Sequence, residues 1–138
     1  MRGRAKGLSS NVNNTEYTSG ATQDLVSFDD NGFTLGTLYS WGSVNGNGNS
    51  IVAWCWKAGG PAVTNNDGSV TSQVSANVEA GFSIVTYAGS GVRTVGHGLS
   101  KRPVMIIMKG RDVSDQWTIG HAYANNASSS WNKGLAFS

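Results

Sequence analysis

Acid–base, nucleophilic or metal chemistry in this chain would fall to two histidines, one cysteine and eight carboxylates. A metal site at His97 or His121 would need Cys55, Asp112 or Asp115 beside it, and no pair among these has HxxxH or CxxC spacing. Both histidines read more simply as turn or strand-end residues with satisfied hydrogen bonds. A Cys55–His97 nucleophile pair is formally available, but Cys55 lies between Trp54 and Trp56, where a buried, inert thiol is expected. Asp29-Asp30-Asn31-Gly32 opens like a calcium loop. Phe33 and Leu35 then fall where further oxygen ligands should stand, so a turn is expected. Glu16, Asp24, Asp29, Asp30, Asp67, Glu79, Asp112 and Asp115 lie mostly in turn contexts, and their spacing selects no pair for glycoside hydrolysis. Gly89-Ser90-Gly91 and Gly96-His97-Gly98 have the glycines of a phosphate loop, but no helix-compatible segment follows either. No catalytic residue, metal ligand or cofactor is expected, and an enzyme is the last-ranked class.

The aromatic residues carry more information. Trp41, Trp54, Trp56, Trp117 and Trp131 are many for 138 residues. Trp54 and Trp56 share one face of an extended segment, because side chains alternate with period two. Most tryptophans are expected in a core. Trp41 and Trp131 stand in Ser/Asn-rich surroundings and are the candidates for exposed platforms on which a sugar ring stacks. Lys101, Arg102, Lys109 and Arg111 bracket the apolar run 103–108, which reads as a solvated rim, with contact to an anionic polysaccharide as the sharper alternative.

The elements that must position these residues are strands. Gly, Ser, Asn and Thr supply 60 of the 138 residues, charged residues only 13%, and strong helix formers are scarce. A net charge of +2 lacks the dense basic patch of a nucleic-acid binder. No apolar run approaches the length of a membrane span, and the basic start Met1-Arg2-Gly3-Arg4 lacks the apolar stretch of a signal peptide. A single cysteine excludes an internal disulfide. Period-two alternation marks Phe33-Thr34-Leu35-Gly36-Thr37-Leu38 and Gln116-Trp117-Thr118-Ile119-Gly120 as strands, with Phe82-Ser83-Ile84-Val85-Thr86-Tyr87 a further one. Val92 to Val95 is expected to follow as another strand. Ile51-Val52-Ala53-Trp54-Cys55-Trp56-Lys57 is apolar on both faces, as in a central strand or one facing another sheet or chain. Val104-Met105-Ile106-Ile107-Met108 reads as a buried central strand. The stretch between the two blocks, with Gly59-Gly60-Pro61 and Asn65-Asn66-Asp67-Gly68, reads as a connector holding one short strand near 70–74. An all-β antiparallel sandwich is expected.

Several stretches resemble a repeat module of tail-fibre and related virion proteins of bacteriophages, common in marine phages. They include Leu8-Ser9-Ser10-Asn11, Val26-Ser27-Phe28-Asp29, Asn31-Gly32-Phe33-Thr34-Leu35-Gly36 and Val52-Ala53-Trp54-Cys55-Trp56-Lys57-Ala58-Gly59-Gly60. Further matches are Asp67-Gly68-Ser69-Val70-Thr71-Ser72-Gln73-Val74, Ala80-Gly81-Phe82-Ser83-Ile84-Val85-Thr86-Tyr87, Val95-Gly96-His97-Gly98-Leu99 and Lys109-Gly110-Arg111-Asp112. In that family a unit opens near the Gly-Phe-Ser-Ile-Val motif and closes near Ala-Trp-Cys-Trp-Lys. Here 1–60 resemble the end of one unit, 79–138 the start of the next, and 61–78 the connector. The resemblance implies a jelly-roll-like module, incomplete or permuted and completed by oligomerisation, although the two halves can also fold together as one domain. It implies a non-enzymatic virion component of the phage tail, extracellular when functional, that attaches to the host. The implied partners are further copies of the chain (a homo-oligomer such as a trimer), other virion proteins and a host surface polysaccharide, with neither nucleic acid nor membrane insertion. Val52, Trp54 and Trp56 are the candidate oligomer interface. A purely structural virion module and a stand-alone carbohydrate-binding module are the alternatives. The resemblance brings no catalytic or ligand residue with it.

Overall fold

A computed structural model describes residues 5–37, 45–89, 91–123 and 135–137. Among the described residues there are ten strands and no helix, and every ladder between strands is antiparallel. The chain is thus all-β, compatible with the sandwich-like fold expected. It divides into two compact units, one formed by Trp54–Val104 and the other by Arg2–Ala53 together with Met105–Ser138.

The contiguous unit is a three-stranded sheet in the order β5 (Val63–Asn65), β6 (Ser72–Asn77), β7 (Phe82–Tyr87). β6 is central and carries small side chains. Val74, 3% exposed, is the buried hydrophobic residue of this unit, and Ser72 and Ser75 are buried beside it. Small residues suit this strand because backbone crosses both of its faces. On the face of Val74 and Ala76 runs the segment 96–98, where a Cβ added to Gly98 would lie 2.8 Å from Val74 Cγ1 and 3.1 Å from Ala76 Cβ. On the Ser75 and Asn77 face runs the segment 57–60. There the Ser75 hydroxyl donates to the Gly60 carbonyl (2.6 Å) and the Asn77 amide to the Lys57 carbonyl (3.2 Å). A Cβ on Gly59 would overlap the Ala76 carbonyl oxygen. The two straps approach this closely because their contact residues are glycines. The strand expected near 70–74 is therefore the longer β6, and the presumed connector 61–78 holds β5 and β6.

The split unit holds the other sheets. β1 (Lys6–Gly7) pairs with β2 (Tyr17–Thr18), and β3 (Leu25–Asp29) with β4 (Gly32–Leu35). The turn expected at Asp29–Gly32 is present and joins β3 to β4 as a hairpin, with the Thr34 hydroxyl donating to Asp29 Oδ2 at 2.8 Å. The third sheet has the order β10 (Leu135–Phe137), β9 (Trp117–His121), β8 (Met105–Met108), and the core residue Ile119, 5% exposed, lies on central β9. Two long-range links tie the two parts of the chain together. Arg111 Nε donates to Glu16 Oε2 (3.0 Å) while the Glu16 amide donates to the Arg111 carbonyl (2.7 Å), and Trp117 Nε1 donates to the Ser9 carbonyl (2.9 Å).

Three expectations are corrected. β8, expected to be buried and central, is an edge strand whose four residues are all exposed; β9 takes the centre, between β8 and β10. Residues 51–57, expected to be a strand, enter no ladder. The central place in the contiguous unit goes to β6, whose Ser and Ala side chains admit the straps that two tryptophans would exclude. Of the expected strand at 92–95, Val95 alone forms bridges, to Gly68 and Val70.

Candidate functional site

The densest apolar surface among the candidate residues is the extended segment that leads into the Gly59-Gly60 strap. Its far end is held where the carbonyls of Lys57 and Gly60 accept bonds from β6. Asn77 of β6 lies opposite Phe82 of β7, so their side chains share a face. Trp56 stacks on Phe82 on that face, with ring centroids 6.0 Å apart and planes 13° from parallel. Trp54 meets Trp56 edge to face at 6.3 Å and 74°. The result is a short aromatic ladder, fixed at Phe82 and open outward.

Trp54, Trp56 and Val52 remain 76%, 62% and 77% exposed, and Ile51 is exposed as well. The expectation that most tryptophans are in the core fails at Trp54 and Trp56. Cys55 between them is exposed too, contrary to the buried thiol expected. A buried Trp covers roughly 150–250 Å², so covering both rings offers on the order of 5 kcal/mol before the costs of association. The segment can therefore bind another apolar surface or a ring. It has no acid, base or nucleophile in a defined pair.

Among the sequence-stated candidates, the structure brings together Trp54 and Trp56. Val52 lies two positions before them on the same stretch, while Trp41 and Trp131 fall outside the described residues. No hydrogen bond or ring contact joins Cys55 to His97 among the described residues, and no group of three or more His, Cys, Asp or Glu is placed to hold a metal ion. His97 is a loop residue and His121 ends β9; each accepts a backbone N–H on Nδ1, from Leu99 (3.0 Å) and Tyr123 (3.2 Å). Of the four cations around β8, Arg111 is paired with Glu16, and Lys109 Nζ donates to the carbonyls of Gly110 (2.6 Å) and Val113 (3.2 Å). Lys101 and Arg102 are exposed. Phe82, the anchor of the aromatic ladder, was read only as a strand residue; its role depends on the β6–β7 register, which no local pattern gives.

An all-β, antiparallel domain with an outward aromatic segment is what fold and site define. The chain belongs to the DUF7483 family, a domain of unknown function, whose sequence model matches residues 1–134. Neither a curated protein nor a solved structure matches the chain. Among the described residues no helix is long and apolar enough to cross a membrane.

Proposed function

We propose that this chain is a non-enzymatic component of a phage virion, a tail-fibre or host-recognition module that self-associates and contacts cell-surface glycan. The observation that carries the assembly half of the reading is the exposure of Val52, Trp54 and Trp56 on a stretch with no strand partner. Apolar surface of this kind marks a contact with another chain. In a homo-oligomer the same segment recurs on every copy, and weak glycan contacts add up by multivalency. The resemblance to tail-fibre modules supplies the setting, a virion outside the cell.

Two measurements test the reading together. Sedimentation analysis should show an oligomer that dissociates when Trp54 and Trp56 are replaced by serine. Labelled protein should bind intact candidate host cells saturably, and periodate oxidation of surface sugars should abolish that binding. An oligomer that ignores cells would leave a purely structural virion module. A monomer that binds soluble sugar would make it a stand-alone carbohydrate-binding module. A monomer that binds neither would end the proposal.

A further inference from the structure

The contiguous unit has a second feature, remote in character from the aromatic ladder. A solvent-open hollow of about 500 Å³ lies where the segment 95–100 passes the turn at Asp67. Its polar lining is Asp67, His97 and Ser100, and its apolar lining is Val78, Val95 and Leu99.

Asp67 and His97 are held in place by bonds that leave one polar atom of each side chain available. Asn65 grips Asp67 twice: its Nδ2 donates to Asp67 Oδ2 (3.2 Å), and its Oδ1 accepts from the Asp67 amide (2.8 Å). Among the described residues Asp67 Oδ1 has no hydrogen-bond partner. His97 Nδ1 accepts the Leu99 amide (3.0 Å), which assigns the proton of the neutral ring to Nε2 and leaves Nε2–H as a donor without a partner among the described residues. A fixed carboxylate acceptor and a fixed imidazole donor thus line one hollow.

The walls are rigid for reasons visible in the sequence. Ser69 and Thr94 are stitched by three bonds: the Ser69 amide donates to the Thr94 carbonyl (3.0 Å) and hydroxyl (2.9 Å), and the Thr94 amide donates to the Ser69 hydroxyl (3.0 Å). Buried Ser72 donates its hydroxyl to the Gly96 carbonyl (3.3 Å). Gly96 sits against Asn65 and Asp67 so tightly that a Cβ there would lie 2.6 Å from the Asp67 carbonyl oxygen. At Gly98, φ is +69°, a backbone that side chains rarely adopt. The Gly-His-Gly sequence therefore presents one imidazole with no side chain at the positions on either side of it.

From this lining we infer that the hollow binds a neutral pyranose ring of a polysaccharide. Ring hydroxyls satisfy both polar groups, one donating to Asp67 Oδ1 and another accepting from His97 Nε2. The carbon face of the sugar covers Val78, Val95 and Leu99. The Asp67 carboxylate disfavours an anionic ligand, and the openness of the hollow suits one unit of a longer chain. This inference rests on the glycan half of the proposed function and adds a site to it.

The test is amide-resolved NMR of the full chain, titrated in turn with the methyl glycosides of glucose, galactose and mannose. At least one should shift the amides of Gly68, Gly96, His97 and Gly98 saturably. Asp67→Asn, which preserves shape and should leave the remaining spectrum in place, should weaken that binding about tenfold or more, as expected for loss of a charge-assisted hydrogen bond. His97→Gln should weaken it as well. Shifts from none of the three sugars, or shifts unchanged in both variants, overturn the site. Periodate-sensitive cell binding that persists in the Asp67→Asn, His97→Gln double variant overturns this site and leaves the glycan reading standing. Absence of both cell binding and sugar shifts overturns the two together.

Discussion

The strap across β6 makes a sharp prediction, because two chemically identical substitutions should behave oppositely. Gly59→Ala drives a methyl group into the Ala76 carbonyl oxygen, a backbone atom that cannot swing aside. The strap must lift. Lifting it lengthens the 2.6 Å bond from the Ser75 hydroxyl to the Gly60 carbonyl, and Ser75 is only 3% exposed, so water does not replace that partner. Overpacking costs about 1–3 kcal/mol, and an unsatisfied buried hydroxyl about 1–3 kcal/mol. One relieves the other in part, so a combined loss of ~2–4 kcal/mol is expected. Gly32→Ala is the control: its Cβ meets nothing within 4 Å and its backbone is in an ordinary region. It should be neutral or stabilise by roughly 0.4–1 kcal/mol through the unfolded chain. Scanning calorimetry reads both. At about 4 °C or more per kcal/mol for a unit this small, Gly59→Ala should lower the melting temperature by ~8 °C or more. Equal melting temperatures for the two variants would refute the close approach of strap and strand.

Further outcomes follow from single contacts. Arg111→Met leaves Glu16, whose side chain is only 10% exposed, without its guanidinium, and the partial exposure of Arg111 (28%) moderates the cost. Thermal denaturation should show a loss of about 1–2 kcal/mol that shrinks in high salt. Trp117→Phe keeps the ring but removes the donor to Ser9, and should cost about 0.5–1.5 kcal/mol in urea unfolding. Trp56→Ala removes the stack on Phe82, worth about 0.5–1.5 kcal/mol in stability, and should weaken self-association far more, on the order of 30-fold, by sedimentation. Trp54→Ala should leave stability within about 0.5 kcal/mol and weaken association alone.

The all-β class, the turn at 29–32, β4, β7 and β9 were legible because large apolar residues there alternate with polar ones between turn residues. β6 was not. Ser72-Gln73-Val74-Ser75-Ala76-Asn77 has one large apolar residue, and its burial comes from backbone straps that hydropathy does not register. The reverse error befell 51–57 and β8. Continuous apolar runs look interior, yet a run is buried only when something covers it, and neither the edge position of β8 nor the lack of a ladder at 51–57 is a local property. Trp54 and Trp56 were singled out from spacing alone, whereas their support by Phe82 needed the register Asn77↔Phe82. The Gly96-His97-Gly98 stretch was set aside as a failed phosphate loop. Its actual use of glycine, to let backbone lie against Val74 and Asp67, is a tertiary fact.

The division of the chain also has a consequence in time. The unit 54–104 is one uninterrupted stretch and can fold as soon as it leaves the ribosome. The other unit cannot: Glu16 waits for Arg111, 95 positions later, and Ser9 for Trp117, 108 positions later. Until then β1 to β4 stand as isolated hairpins, which are marginal in water. Closing such long loops is entropically costly and slow, and order already present in the intervening stretch shortens the flexible path to be closed. Substitutions that destabilise the inserted unit, such as Gly59→Ala, should therefore slow assembly of the flanking unit without touching any of its residues.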